Sequence, residues 1–245
     1  MPEEWREKLR TVEAMTSDPD AMELIHEALK RHISLQQWLD LLYLAEAMEE
    51  KNWKKWINET FQFPGGGKIV SDSNLLLGGG FGRLTRLPEG LAVKGSLNLT
   101  ACTGLTELPE GLRVGGILNL DQCTELEKNK NNILPPLMEK MKRGEIIGLS
   151  LMTWQLEDRD LPNGLMVKGN LGLAIDKLTE LPEGLKVGGS LILYSCTGPT
   201  RLTRLPQKLR VEGNLILDEN LHEQVKKDAE RLKKEGKIKG EIKYR

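Results

Sequence analysis

The sequence predicts an α/β protein: a stack of short parallel strands coiled into a solenoid, preceded by an N-terminal helical domain and closed by a C-terminal capping helix. Three observations predict it. All 25 glycines lie in residues 65–245 and none in 1–64, so two kinds of architecture meet near Pro64-Gly65-Gly66-Gly67. A Leu-x-x-Leu-Pro-x-Gly-Leu block recurs through the glycine-rich part. Each copy is followed by Val-x-Gly-x-Leu-x-Leu, whose alternation marks a strand with one buried face.

Residues 1–64 read as helices. Trp5, Leu9 and Val12 share one helical face. Ser17-Asp18-Pro19-Asp20 is a start signal, and Met22, Ile25, Ala28 and Leu29 form the next stripe. Ser34 to Gln37 fits a capping box, in which Ser accepts a free backbone N–H and Gln reaches back to the cap. Trp38, Leu41, Leu42, Ala45 and Met48 come next on one face, and Asn52 to Phe61 reads as a shorter helix. These stripes are read as core, and the small module is expected to pack against the glycine-rich part of the chain.

Residues 65–245 are organised by repetition. Leu84–Leu91 recurs as Leu105–Leu112 and Leu178–Leu185, with weaker copies at 160–165 and 202–209. The last leucines of the short runs stand at 77, 99, 120, 151, 173, 193 and 217, spaced 22, 21, 31, 22, 20 and 24 apart. That leaves too little chain for a full helix in most units. Neighbouring units must bury each other's leucines, because no single unit can bury its own. Residues 240–244 are expected to add a final rung. The prolines at 88, 109, 162, 182 and 206 suit an extended outer segment, and the glycines at 90, 111, 164 and 184 suit a turn. Lys208 occupies the equivalent place in one unit, so positive φ is not obligatory there.

Three residues past each last leucine lie Gly80, Cys102, Cys123, Trp154, Asp176, Cys196 and Asn220. A side chain turned inward there can bond the backbone of the turn. The three cysteines are therefore read as a buried ladder. They are too few for a disulfide scaffold and lack the short spacing of a zinc site, and His26, His32 and His222 show no arrangement that would activate a thiol. No metal and no cofactor is expected.

The combination Leu-x-Leu-x-x-[Cys/Asn] with Leu-x-x-Leu-Pro-x-x-Leu resembles the bacterial leucine-rich repeats of the short Leu-Pro kind, as in effectors of the YopM and IpaH type, over roughly residues 74–245. The resemblance implies a curved solenoid with strands on the inner face and turn-like segments outside. It also implies a helical N-terminal cap. It departs from the family in that cysteine replaces most of the usual asparagine column, and it says nearly nothing of function, because the motif residues are the core.

Two inserts break the period. Residues 129–144 are expected to carry a helix opened by Pro135-Pro136. Residues 219–235, with Leu221, Val225, Ala229 and Leu232 on one face and Gly236 at the stop, read as an amphipathic capping helix. Its lysines alternate with Glu223, Asp228, Glu230 and Glu235, which favours a solvated face over a nucleic-acid surface.

Composition narrows the function. The 35 basic and 36 acidic residues nearly cancel, which argues against a general nucleic-acid binder. No membrane-spanning run is present, and residues 1–6 lack the layout of a secretory signal. A cytoplasmic monomer, or one exported without a classical signal peptide, is expected. With Leu97 and Leu99 pointing inward, alternate residues face out on the strand side. That face includes Asn98, Ile117, Asn119, Asp121, Met152, Ile192, Tyr194, Ile216 and Asp218, in which apolar anchors stand among small polar groups as they do in protein interfaces. The expected function is a non-enzymatic protein-binding module or scaffold of the effector kind, with a structural or self-assembling solenoid as the alternative. Asp121 and Asp218 are the candidates for an enzyme, and they lack a paired acid, base or metal ligand in the sequence.

Overall fold

The structure is a computed structural model that describes residues 19–79, 83–195 and 201–245. The expected helix around Trp5, the side chain of Met22, and the column positions Gly80 and Cys196 lie outside the described residues. The architecture is mixed α/β, with a mostly parallel 11-stranded sheet and a second sheet of three strands.

Three helices come first: α1 (Pro19–Lys30), α2 (Leu35–Ala47) and α3 (Trp53–Thr60). The capping box at the start of α2 is present, with Ser34 Oγ accepting from Gln37 N at 3.1 Å and Gln37 Oε1 accepting from Ser34 N at 2.9 Å. The same Gln37 amide donates to the carbonyls of Gly67 at 2.6 Å and Glu89 at 2.7 Å, which ties the helix to the first strand unit. Trp38 is fully buried, edge-on to Trp53 and beneath the Arg31 guanidinium. Tyr43 donates to the Arg83 carbonyl, and Arg86 pairs with the buried Asp40 at 2.7 Å. Helices and strands share one contiguous hydrophobic core that runs from Ala28 to Ile238.

The glycine triplet forms the tip of an antiparallel hairpin between β1 (Gln62–Gly65) and β2 (Lys68–Ser71), with φ of +95°, +62° and +69° at its three glycines. The remaining strands of both sheets pair in parallel. They are β3 (Leu75–Leu76), β4 (Leu91–Val93), β5 (Leu97–Asn98), β6 (Arg113–Asn119), β7 (Ile146–Leu151), β8 (Met166–Val167), β9 (Leu171–Ala174), β10 (Lys186–Val187), β11 (Leu191–Tyr194), β12 (Arg210–Val211), β13 (Leu215–Leu217) and β14 (Ile242–Tyr244). Leu97, Leu118, Leu149, Leu171, Leu191, Leu215 and Ile242 stand in register. The expected closing strand is thus β14. The six leucines of this row are 0–1% exposed, because each is covered by the same position in the next strand.

Each unit carries a second registered row. Val93 pairs with Val114 and Val114 with Ile146, while Val167, Val187 and Val211 succeed one another to a bridge at Ile238. The glycine two residues on stacks backbone against backbone, with Gly189 N bonding Gly169 O, Gly213 N bonding Gly189 O and Gly240 N bonding Gly213 O, each at 2.9 Å. A Cβ on Gly213 would lie 2.6 Å from the Gly189 carbonyl carbon.

One expectation is corrected. Pro135 and Pro136 do not open the insert helix. A short α4 (Thr124–Lys128) precedes α5 (Lys130–Arg143), and both prolines lie inside α5 on its exposed side. The burial of Ile133, Leu134, Leu137, Met138 and Met141 against the strands holds the helix through the two missing N–H donors. The outer prolines begin tight turns, with Leu112, Leu165, Leu185 and Leu209 N bonding the carbonyl of the proline three residues back at 3.1–3.2 Å. Gly90, Gly164 and Gly184 take φ near +73°, whereas Gly111 and Lys208 do not enter the left-handed region. Near the end, α6 (Glu223–Lys234) and the residues leading into it bury Leu221, Val225, Ala229 and Leu232 as expected.

Leu118→Ala is expected to cost about 2–5 kcal/mol through lost burial and a cavity. The sequence alone predicts less than about 0.5 kcal/mol for Ser96→Ala as an exposed change. Ser96 Oγ, however, accepts the Ile117 amide at 3.0 Å, so the expected cost rises to about 1 kcal/mol. Thermal unfolding of both variants checks the ranking. Gly213→Ala is expected to destabilise far more than Gly164→Ala. The first drives a Cβ into backbone, whereas the second meets nothing within 4 Å and carries only left-handed strain of about 1 kcal/mol. Equal denaturation midpoints for the two would refute the close-stacked glycine row.

Candidate protein-binding face

Between the core leucines, three columns of side chains point away from the interior, and the structure gives them unequal roles. The first column is largely occupied in holding the strands together. Asn74 Oδ1 accepts Ser96 N at 2.8 Å, Asn170 Oδ1 accepts Ser190 N at 2.7 Å, Ser190 Oγ accepts Asn214 N at 3.1 Å and Asn214 Oδ1 accepts Glu241 N at 2.8 Å. These small polar groups satisfy amides of the neighbouring strand where the glycine row passes.

The predicted polar site residues also serve the backbone. Asn98 Oδ1 accepts Thr100 N at 2.8 Å, and Asn119 Oδ1 accepts Asp121 N at 2.9 Å, each closing the turn that leaves its strand. Asp121 accepts the Ser150 hydroxyl at 2.9 Å and the Met152 amide at 2.6 Å, linking two strands. Asp218 is 7% exposed and accepts Ser195 N at 3.3 Å and Asn220 N at 2.9 Å. The described partners of both aspartates are backbone amides and a hydroxyl, not a second acid or a base that would set up acid–base chemistry. Among the described residues, no group of three or more His, Cys, Asp or Glu is placed to hold a metal ion.

The apolar members come together. Ile192 on β11 stands in register between Gly172 on β9 and Ile216 on β13, and Tyr194 stands opposite Ala174. Gly172 and Ala174 leave the surface low there. The Met152 side chain extends over Gly172, its Cγ 3.0 Å from where a Cβ would sit. Tyr194 is 43% exposed, and Met152, Ile192 and Ile216 are half-buried. Ile117 lies apart, on β6, leaning over Gly148 of β7. Leu76 on β3 is 67% exposed on the same face. It lies between the core residues Leu75 and Leu77, and that alternation was the signal for it.

The cysteine column lies under this face, inside the core. Cys123 Sγ donates to the Leu99 carbonyl at 3.1 Å and Cys102 Sγ to Leu77 at 3.5 Å. In the longer unit the Trp154 indole N–H takes the same part, donating to Leu120 at 2.8 Å. Asp176 departs from the column, because it is half-buried and its carboxylate accepts the Ser195 hydroxyl at 3.0 Å. Burial pushes the Cys102 thiol up to about 11. Burial and then the neighbouring Cys102 push Cys123 up to about 12. Neutral, inaccessible thiols of this kind are not nucleophiles.

Comparison with protein-family models, with curated proteins and with solved structures gives no match to this chain. The site therefore rests on its own geometry. No described helix is long and apolar enough to cross a membrane.

Cys102 and Cys123 are expected to resist alkylation in the native protein at pH 8, reacting only at the rate of global opening, as followed by peptide mass spectrometry. Their raised folded pKa values mean that stability is full below the unfolded thiol value near 8.5 and falls as pH rises from there toward 11. Fast labelling of either thiol at pH 8 would contradict the buried column.

Proposed function

We propose that the chain is a curved leucine-rich-repeat solenoid of the short Leu-Pro kind with helical caps, and that it works as a non-enzymatic protein-binding module or scaffold, in the manner of a bacterial effector. Its partner is a protein, held on the strand-side face by a monomer that acts in the cytoplasm or after export without a classical signal peptide. The registered repeat rows and the helices at both ends support the solenoid reading.

One observation carries the binding reading: Met152, in the turn just past β7, forms one apolar surface with Ile192 and Tyr194 on β11 and Ile216 on β13, although leucines already fill the core beneath them. A tyrosine with aliphatic neighbours is the composition of an interface anchor, since it offers large contact area with few rotamers to fix. The asparagines and aspartates around it are held by backbone bonds and form a rigid rim, which lowers the ordering cost of association.

The test is partner capture with Tyr194→Ala and Ile192→Asp. Each is expected to weaken capture by about tenfold or more, while thermal unfolding shows that the fold survives. Lys227→Ala on α6 is expected to leave capture unchanged. Retention of the partner by both face variants would overturn the proposal.

A further inference from the structure

A second surface lies on the turn side of the units, away from the strand-side face. In the complete repeats the turn reads Pro-Glu-Gly-Leu, as at 88–91, 109–112 and 182–185. In the last unit it reads Pro206-Gln207-Lys208-Leu209, so a carboxylate is lost and a cation gained at one turn. The structure places this departure beside three more cations. Arg210 on β12 pairs in register with Lys186 on β10, and the bridge between Val211 and Ile238 sets Lys237 alongside Arg210.

Together these residues line an open notch of about 430 Å³, floored by Gly164 and Gly184, whose missing side chains leave the backbone uncovered. Such a volume suits a small ligand. Like charges directly opposite on paired strands repel, and neither Arg210 nor the Lys186 across from it is paired with a carboxylate of the described residues. Glu212 pairs with Lys239 at 2.6 Å, and Lys237 pairs with Glu235 at 2.6 Å and donates to the Gln207 carbonyl at 2.8 Å. Glu183, one unit back, does not line the notch. Lys186, Lys208 and Arg210 are exposed and form no ion pair with a described residue, whereas Lys94, Lys128, Arg143 and Arg159 each have a carboxylate partner.

We infer that this notch binds a compact anion carrying two or more clustered phosphates, free or as the headgroup of a lipid. Arg210 offers a planar fork for one phosphate, and Lys186 and Lys208 offer point charges for the next. The notch is localised to two or three units rather than drawn out along a groove, which favours a compact polyphosphate over a nucleic-acid strand. The inference is independent of the strand-side reading, because the two surfaces share no residue.

The probes are inorganic tripolyphosphate by titration calorimetry, and vesicles of phosphatidylcholine with and without bisphosphorylated phosphatidylinositol by flotation, all near 0.15 M salt. Saturable one-to-one binding of tripolyphosphate is expected, reduced about tenfold or more in Lys186→Glu/Arg210→Glu. Lys226→Glu/Lys234→Glu on α6, which also removes two positive charges, is expected to bind as the native chain does. Circular dichroism confirms that both variants are folded. Binding of tripolyphosphate alone assigns a soluble ligand, and added flotation with the phosphorylated lipid assigns a headgroup. No saturable binding of either probe overturns the inference, as does an equal loss in the α6 variant. Preference for a single-stranded oligonucleotide over tripolyphosphate overturns it in favour of a nucleic-acid surface.

Discussion

Parallel stacking of short strands at one unit's spacing is the constraint on which the rest of the molecule depends. A strand of two to seven residues buries too little apolar area to order itself, and its leucines become core only when the same positions of the next strand cover them. Registry then dictates chemistry elsewhere. Where two backbones must approach, the Val-x-Gly glycine is required, since any Cβ would enter the neighbouring carbonyl. Where an amide is left without a ladder partner, an asparagine or serine of the adjacent unit supplies one. Where the chain turns inward after the strand, a thiol or an indole N–H bonds the carbonyl of the previous unit.

Helices pack into the same core near both ends of the described chain, α1–α3 before the first strands and α6 between β13 and β14. At the start, Gln37 joins the cap of α2 to two carbonyls of the first units, and the fully buried Trp38 belongs to the same hydrophobic core as Ile69 and Leu91. At the far end, α6 covers the last units with Val225, Ala229 and Leu232, and Asp228 accepts the Leu205 amide at 3.1 Å. Lys227, Lys234, Glu223, Glu230 and Glu235 face water as the alternating charge pattern predicted, whereas Asp228 of the same set is buried and Lys233 donates to the Lys239 and Gly240 carbonyls.

A molecule whose framework consumes this much of its sequence has few side chains left for recognition. Those few stand out because the framework does not need them. Tyr194 and Ile192 project from strands whose leucines already close the core, and Lys208 breaks a turn motif that other units keep. One set is apolar on the strand side and the other cationic on the turn side, so the two surfaces differ in chemistry.

Period and alternation were legible from residue order alone. Leucines at a two-residue repeat every 20–24 positions leave one way to bury them, and Ser34 with Gln37 names its own helix start. The burial of Cys102 and Cys123 and the closing strand β14 were legible for the same reason, since each is a position within a repeating unit. What residue order did not determine was which outward side chains are free. Asn98, Asn119, Asp121 and Asp218 look like binding groups in the sequence, yet each bonds a backbone amide, in its own turn or across units. Nor did it place Pro135 and Pro136 inside a helix, or gather Lys186, Lys208 and Arg210 into one notch. A hydrogen bond between units and a cluster of like charges both depend on distances across the stack, and only the tertiary structure sets those.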